Sequence, residues 1–157
     1  MIVVSDTSSI TNLIQVGQIG LLKTLFKEIL ISPTVKRELS VIQSQKDFIE
    51  NCPWITVANP KDEELIHGLI QKLDLGEAES ICLAKELAAD FLLIDEYAGR
   101  KIANEMGLPI IGILGVLIKG KKEGQLGEVK PIIQSLVSSG FRLNQGLINN
   151  VLQALGE

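Results

Sequence analysis

Short apolar runs rich in β-branched residues alternate with helical stretches along this chain. Met1–Ser5, Glu28–Ile31, Trp54–Val57, Phe91–Ile94 and Pro109–Gly112 read as strands. The segments between them carry helical spacing. After Asp62, the residues Leu65, Ile66, Leu69, Ile70 and Leu73 share one face, as do Leu147, Ile148, Val151, Leu152 and Leu155 from Gln145 onward. Continuous apolar strands need cover on both sheet faces. The pattern therefore predicts an α/β fold with a central parallel sheet sandwiched by helices.

Further helices are expected over Ser8 to Gly17, capped by Ser8 or Ser9, over Ile19 to Phe26, and from Pro33-Thr34 onward. Gly76 separates the Asp62 helix from another running Glu77 to Ala89. Ala98 to Met106, Leu114 to Glu123 and Val129 to Ser138 complete the set. At 157 residues the chain reads as one domain, 1–157, with no repeat or linker. Helices from about 125 to 157 are expected to pack on that domain or extend it.

Composition narrows the chemistry. With 15 basic and 19 acidic residues the net charge is −4, which argues against coating nucleic acid by charge alone. Six aromatics leave little for a base-stacking platform. One histidine, His67, excludes His-rich metal sites. Cys52 and Cys82 stand singly and form no zinc or CxxC motif. They suit a reducing cytoplasm. No secretory leader is expected, since the first residues run into Asp6 without a basic lead. The most apolar stretch, Leu108 to Ile118, is too short for a bilayer, so no membrane association is expected.

The informative feature is acids at strand ends and on apolar helix faces. Asp6 and Asp95 each close a buried strand, and carboxyl ends of parallel strands line the ligand crevice of an open α/β sheet. Each also suits a plain helix N-cap. Glu38 shares a face with Val35 and Ile42. A lone Glu there is costly to bury without a partner or metal. Glu77 heads the stripe Ile81, Ala84, Ala88, whereas Glu79 continues to Leu83 and Glu86 on a mixed face. Glu77 is preferred and Glu79 held in reserve, although helix-start acids also answer the helix dipole. Four converging carboxylates would raise each other's pKa values unless a cation joined them. An all-oxygen set fits Mg²⁺ or Mn²⁺, which activate water and clamp phosphate. Lys119, Lys121, Lys122 and Lys130, or Arg100 and Lys101, are candidates to flank a nucleic-acid path, with solvated helix faces as the plainer reading. Tyr97 is a candidate base contact or an ordinary surface residue.

The ordered motifs Val4-Ser5-Asp6-Thr7-Ser8-Ser9, Val35-Lys36-Arg37-Glu38-Leu39, Leu75-Gly76-Glu77-Ala78-Glu79 and Leu92-Leu93-Ile94-Asp95-Glu96 resemble the PIN-domain ribonucleases. Gly107-Leu108-Pro109, Gly112 to Leu117 and Gly140-Phe141-Arg142-Leu143 are similar to a prokaryotic, uncharacterised GEAE-type subgroup. The resemblance implies a Rossmann-like PIN fold and a Mg²⁺- or Mn²⁺-dependent endoribonuclease leaving a 5′-phosphate. It also implies a homodimer, and for many relatives a toxin held by a small antitoxin protein. Asp6, Glu38, Glu77 and Asp95 match the family's acidic quartet, Ser8 a small polar residue holding the first Asp. Better-known toxins usually carry Asp where this chain has Glu77, and Glu96 offers a further acid nearby.

Rival readings fare less well. An aspartyl-phosphate hydrolase of the dehalogenase type wants an Asp two positions after Asp6, where Ser8 stands. Gly120-Lys121-Lys122-Glu123-Gly124 is no phosphate-binding loop, lacking its spacing and Ser/Thr. The strongest rival is a PIN-fold nucleic-acid-binding or protein-interaction module without catalysis.

Overall fold

The computed structural model describes residues 1–157. Its sheet is all parallel, with β1 (Val3–Ser5) in the middle. On one side lie β2 (Ile29–Ile31) and then β3 (Ile55–Val57), and on the other β4 (Phe91–Leu93) and then β5 (Ile110–Ile111). Val4 faces both Leu30 and Leu92 in register.

Side-chain alternation along these strands splits the interior into two layers. Val3, Ile29, Ile31 and Leu93 enter the larger one. It is covered by α1 (Thr7–Gln15), α2 (Gly20–Phe26), α3 (Pro33–Leu39), α4 (Gln43–Glu50) and α8 (Ile113–Lys122). The tail helices α9 (Lys130–Ser138) and α10 (Gln145–Ala154) add Ile133, Leu136, Ile148 and Val151 to the same layer. Val4, Leu92 and Ile94 point the other way, under α5 (Glu63–Leu69), α6 (Leu75–Glu86) and α7 (Tyr97–Glu105). Each buried Leu, Ile or Val contributes about 1.5–3 kcal/mol of transfer free energy. No helix is long and apolar enough to cross a membrane.

Three details of the sequence reading are corrected. The cap of α1 is Asp6 rather than Ser8 or Ser9. Gly76 lies inside α6, which starts at Leu75 behind the cap Asp74. Ile42 is the cap of α4 and lies outside α3, so its spacing from Glu38 carries no facing information.

The tail is fastened through Glu157. Its carboxylate accepts from Lys121 Nζ at 2.5 Å and from the backbone N–H groups of Val129 at 2.9 Å and Lys130 at 3.0 Å. The Lys121 bond first, then the two N–H groups, hold its pKa down at about 2.

The chain builds β1, β2 and β3 outward, then returns to place β4 on the opposite flank of β1. Between the carboxyl ends of β1 and β4 the connections diverge, and a crevice opens there. Asp6 and Asp95 follow those two ends.

Candidate active site

Asp6 is only 2% exposed. The Ser9 N–H donates to its Oδ1 at 3.1 Å and the Ser8 hydroxyl to its Oδ2 at 3.4 Å. Asp95 accepts from the Ser9 hydroxyl at 3.2 Å and from the Ile113 N–H at 3.1 and 3.2 Å. Ile113 is the first residue of α8, so Asp95 sits at the positive end of that helix. Burial pushes the Asp6 carboxyl up to about 7; the Ser9 bonds oppose the rise and the Asp95 charge adds to it. Burial also raises Asp95, against the pull of Ile113, Ser9 and Arg100.

Two helices bring further acids to the same edge. On α3, Val35 and Leu39 are fully buried while Glu38 stays exposed at the stripe's border. Its Oε1 accepts from the Thr7 hydroxyl at 2.9 Å, tying α3 to the start of α1. A Cβ on Gly76 would collide with that oxygen, so the missing side chain lets Glu38 lie over α6. On α6, Glu77 Oε2 is buried and has no hydrogen-bond partner. A Cβ on Gly99 would stand 2.7 Å from it, so the backbone of α7 closes one side. Burial first, then Asp74 and Asp6, push Glu77 up to about 8.

These residues enclose a cleft of about 540 Å³. Five of its eight lining residues are acids, Asp6, Glu38, Asp74, Glu77 and Glu96; the other three are Thr7, Ser8 and Thr11. No basic or apolar side chain lines it. Asp95 opens onto an adjoining cavity that shares the wall formed by Ser8 and Glu96.

Of the residues singled out from sequence, Asp6, Glu38, Glu77, Ser8 and Glu96 meet at this cleft, with Asp95 behind the shared wall. Glu79 does not. It is 7% exposed and accepts a hydrogen bond from the Thr34 hydroxyl, tying α6 to α3. Two positions along a helix turn a side chain about 200°, so Glu77 and Glu79 cannot share a cleft. The basic groups offered as a nucleic-acid flank do not line the cleft. Lys119 pairs with Glu123 and Lys121 with Glu157, and neither Lys122 nor Lys130 lines the acidic cavities. Arg100 donates to the Ile94 carbonyl at 2.9 Å. Its guanidinium charge also acts on Asp95, and Arg142 lines the adjoining cavity together with Asp95 and Glu96.

Sequence reasoning missed Ser9, which bonds both aspartates, and Asp74. Asp74 accepts from the Glu77 N–H at 2.8 Å. Its signal was legible as an acid three residues before a Glu, the form of a helix-capping pair.

The donor set fits a hard divalent cation. All candidate donors are carboxylate or hydroxyl oxygens, the ligand type that Mg²⁺ and Mn²⁺ prefer. Glu77 Oε2 is an orphaned buried acceptor, and burial, with neighbouring carboxylates adding to it, raises Asp6 and Glu77, so both acids would gain from a cation beside them. No three acids stand close enough to cage an ion unaided. That suits Mg²⁺, which keeps several waters and is held by one or two carboxylates.

A comparison with curated proteins found no match. A family model described as the PIN domain matches residues 2–157, nearly the whole chain, and the parallel sheet with acids at the β1 and β4 ends agrees with it. The chain belongs to the PIN-domain family, a nuclease-type fold whose members are usually hydrolases.

Proposed function

We propose that this chain is a divalent-metal-dependent endoribonuclease that hydrolyses RNA phosphodiester bonds at the cleft of Asp6, Glu38, Glu77 and Asp95. The observation that carries this reading is the orphaned Oε2 of Glu77, in a cleft of five acids with no basic residue. Such a cleft repels a phosphodiester until a cation offsets its charge.

Asp6 and Glu77 would hold Mg²⁺ or Mn²⁺, with Asp95 and Glu38 contributing from either side. When bound, the ion supplies Lewis acidity toward phosphate and lowers the pKa of water. The chain's own part is orientation. Ser9 and Ser8 fix both oxygens of Asp6, and Ser9 with Ile113 fixes Asp95. Each carboxylate oxygen keeps a lone pair beyond those bonds. The Thr7 hydroxyl holds Glu38 at the rim. Gly76 and Gly99 leave room for the Glu38 and Glu77 carboxylates to lie where a Cβ would otherwise make them shift.

Asp74 joins this set as an added charge beside Glu77. Glu79 serves the fold instead. The unpaired cysteines Cys52 and Cys82, both buried, suit a reducing cytoplasm. A toxin role, a small antitoxin and a homodimer rest on the family resemblance. Growth arrest relieved by a small adjacent open reading frame tests the first two, and sedimentation tests the third.

The deciding experiment is RNA cleavage with Mg²⁺ or Mn²⁺ by the wild-type chain, Asp6→Asn and Asp95→Asn. Cleavage by the wild type alone, abolished by chelator, is the expected result. Cleavage surviving both substitutions, or excess chelator, overturns the assignment. Metal uptake and RNA binding without cleavage under any condition would favour a binding module.

A further inference from the structure

The cavity beyond the shared wall keeps two of the acids, Asp95 and Glu96, and adds amides, an exposed aromatic and a guanidinium. It measures about 620 Å³ and meets the cleft at Ser8 and Glu96. Asn12 and Gln15 line one side. With Ser8 they form the i, i+4, i+7 ridge of α1, about 10 Å of polar surface leading away from Asp6. Neither amide side chain spends a hydrogen bond within the protein. Opposite stands Tyr97, 80% exposed at the start of α7.

The far wall is the turn after α9. Gly140 takes a φ of +99°, and the Phe141 N–H donates to the Leu136 carbonyl at 3.0 Å. Phe141 and Leu143 both pack against the larger core layer. Arg142, held between these two anchors, lines the cavity. The molecule's two ion pairs use lysines, so this guanidinium has no carboxylate partner.

A planar cation, two unspent amides and an exposed aromatic, set beside acids that fit a phosphate-cleaving metal, match the parts of one nucleotide. Arg binds phosphate bidentately, amides read base edges, and Tyr stacks on a base. We propose that this cavity is the subsite for the nucleotide adjoining the scissile phosphate. Arg142 holds a neighbouring phosphate, Tyr97 stacks on the base, and Asn12 and Gln15 read its edge. This inference rests on the nuclease reading of the adjoining cleft. A base can enter only unpaired, so the subsite selects single-stranded RNA at that position.

The test is fluorescence anisotropy of an unstructured ten-nucleotide RNA and of its duplex, with Ca²⁺ as the cation. Arg142→Ala and Tyr97→Ala are each expected to weaken single-strand binding by about ten-fold. Arg142→Lys should recover part of the loss, and Tyr97→Ala should leave duplex binding unchanged. Both positions are exposed, so melting temperatures should stay at the wild-type value. Unchanged affinity in both variants, equal losses for single strand and duplex, or no binding by the wild type would overturn the subsite. Variant-sensitive binding by a chain that cleaves no RNA with any divalent metal would keep the subsite and remove the nuclease reading. Cleavage with a wild-type KM in both variants would do the reverse.

Discussion

The Ser9 hydroxyl donates to Asp95 Oδ2 at 3.2 Å, joining residues 86 positions apart. The same residue's N–H donates to Asp6 Oδ1 at 3.1 Å, the cap of α1. Ser9 is therefore the bracket that sets the two strand-end carboxylates relative to each other. Ser9→Ala keeps the backbone bond to Asp6 and removes only the hydroxyl. Asp95 then loses a donor that favours its charged form. The expected result is a loss of about 1 kcal/mol in stability, with a larger fall in metal-dependent cleavage. A thermal melt and a cleavage assay on one preparation check both.

Without metal, stability is expected to fall as pH rises from about 4 to 8. Asp6 sits near 7 and Glu77 near 8 in the folded chain, both above their ordinary values of 3.8 and 4.5. Through that window the folded state binds protons that the unfolded chain has released, so deprotonation favours unfolding. Asp6→Asn removes the penalty while keeping a good helix cap. It should melt above the wild type at pH 8 and close to it at pH 4. Mg²⁺ should raise the wild-type melting temperature at pH 8 far more than at pH 5. Melts across the pH series, with and without Mg²⁺, read out all three.

Asp74 does two things that substitution can separate. As the cap of α6 it binds the Glu77 N–H, and as a charge it raises the Glu77 carboxyl. Asp74→Ala should lose about 1 kcal/mol with the cap. Asp74→Asn should keep the melting temperature yet bind Mn²⁺ more weakly, having one negative charge fewer. Chemical denaturation and metal titration distinguish the two variants.

Glu77 and Glu79 give a sharp contrast. Glu77→Gln should abolish cleavage and leave the fold intact, or steadier above about pH 8, where it removes a half-buried carboxyl that must otherwise ionise. Glu79→Gln should weaken the link to Thr34 by about 1–3 kcal/mol while sparing cleavage. Cleavage rates and melts of the pair separate the roles.

How much of this was legible in the sequence follows from periodicity. The strands alternate with long helices, so the parallel sandwich could be read directly, as could Asp6 and Asp95 at strand ends. Helix facing was harder. From Gly76 to Ala84 every residue of α6 is buried except Glu77, so no polar stripe marks a solvent side, and Glu79, placed second on facing alone, stayed in reserve. Glu38 was chosen partly from a spacing to Ile42 that the end of α3 at Leu39 makes irrelevant. Ser9 and Arg142 gain meaning only from residues some 90 and 45 positions away. A serine in a helix and an arginine in a turn carry no local signal of that. The cap and the site were posed as rivals for Asp6, yet a strand-end acid that caps α1 also lines the acidic cleft.

The central claim is that the cleft needs a divalent ion to balance its charge. Isothermal titration calorimetry of Mn²⁺ into the wild-type chain and into Glu77→Gln tests it most directly. The expected result is saturable uptake at pH 8 by the wild type, accompanied by proton release, with uptake lost or at least ten-fold weaker in the variant. Equal uptake by both chains, or none by the wild type, would contradict it.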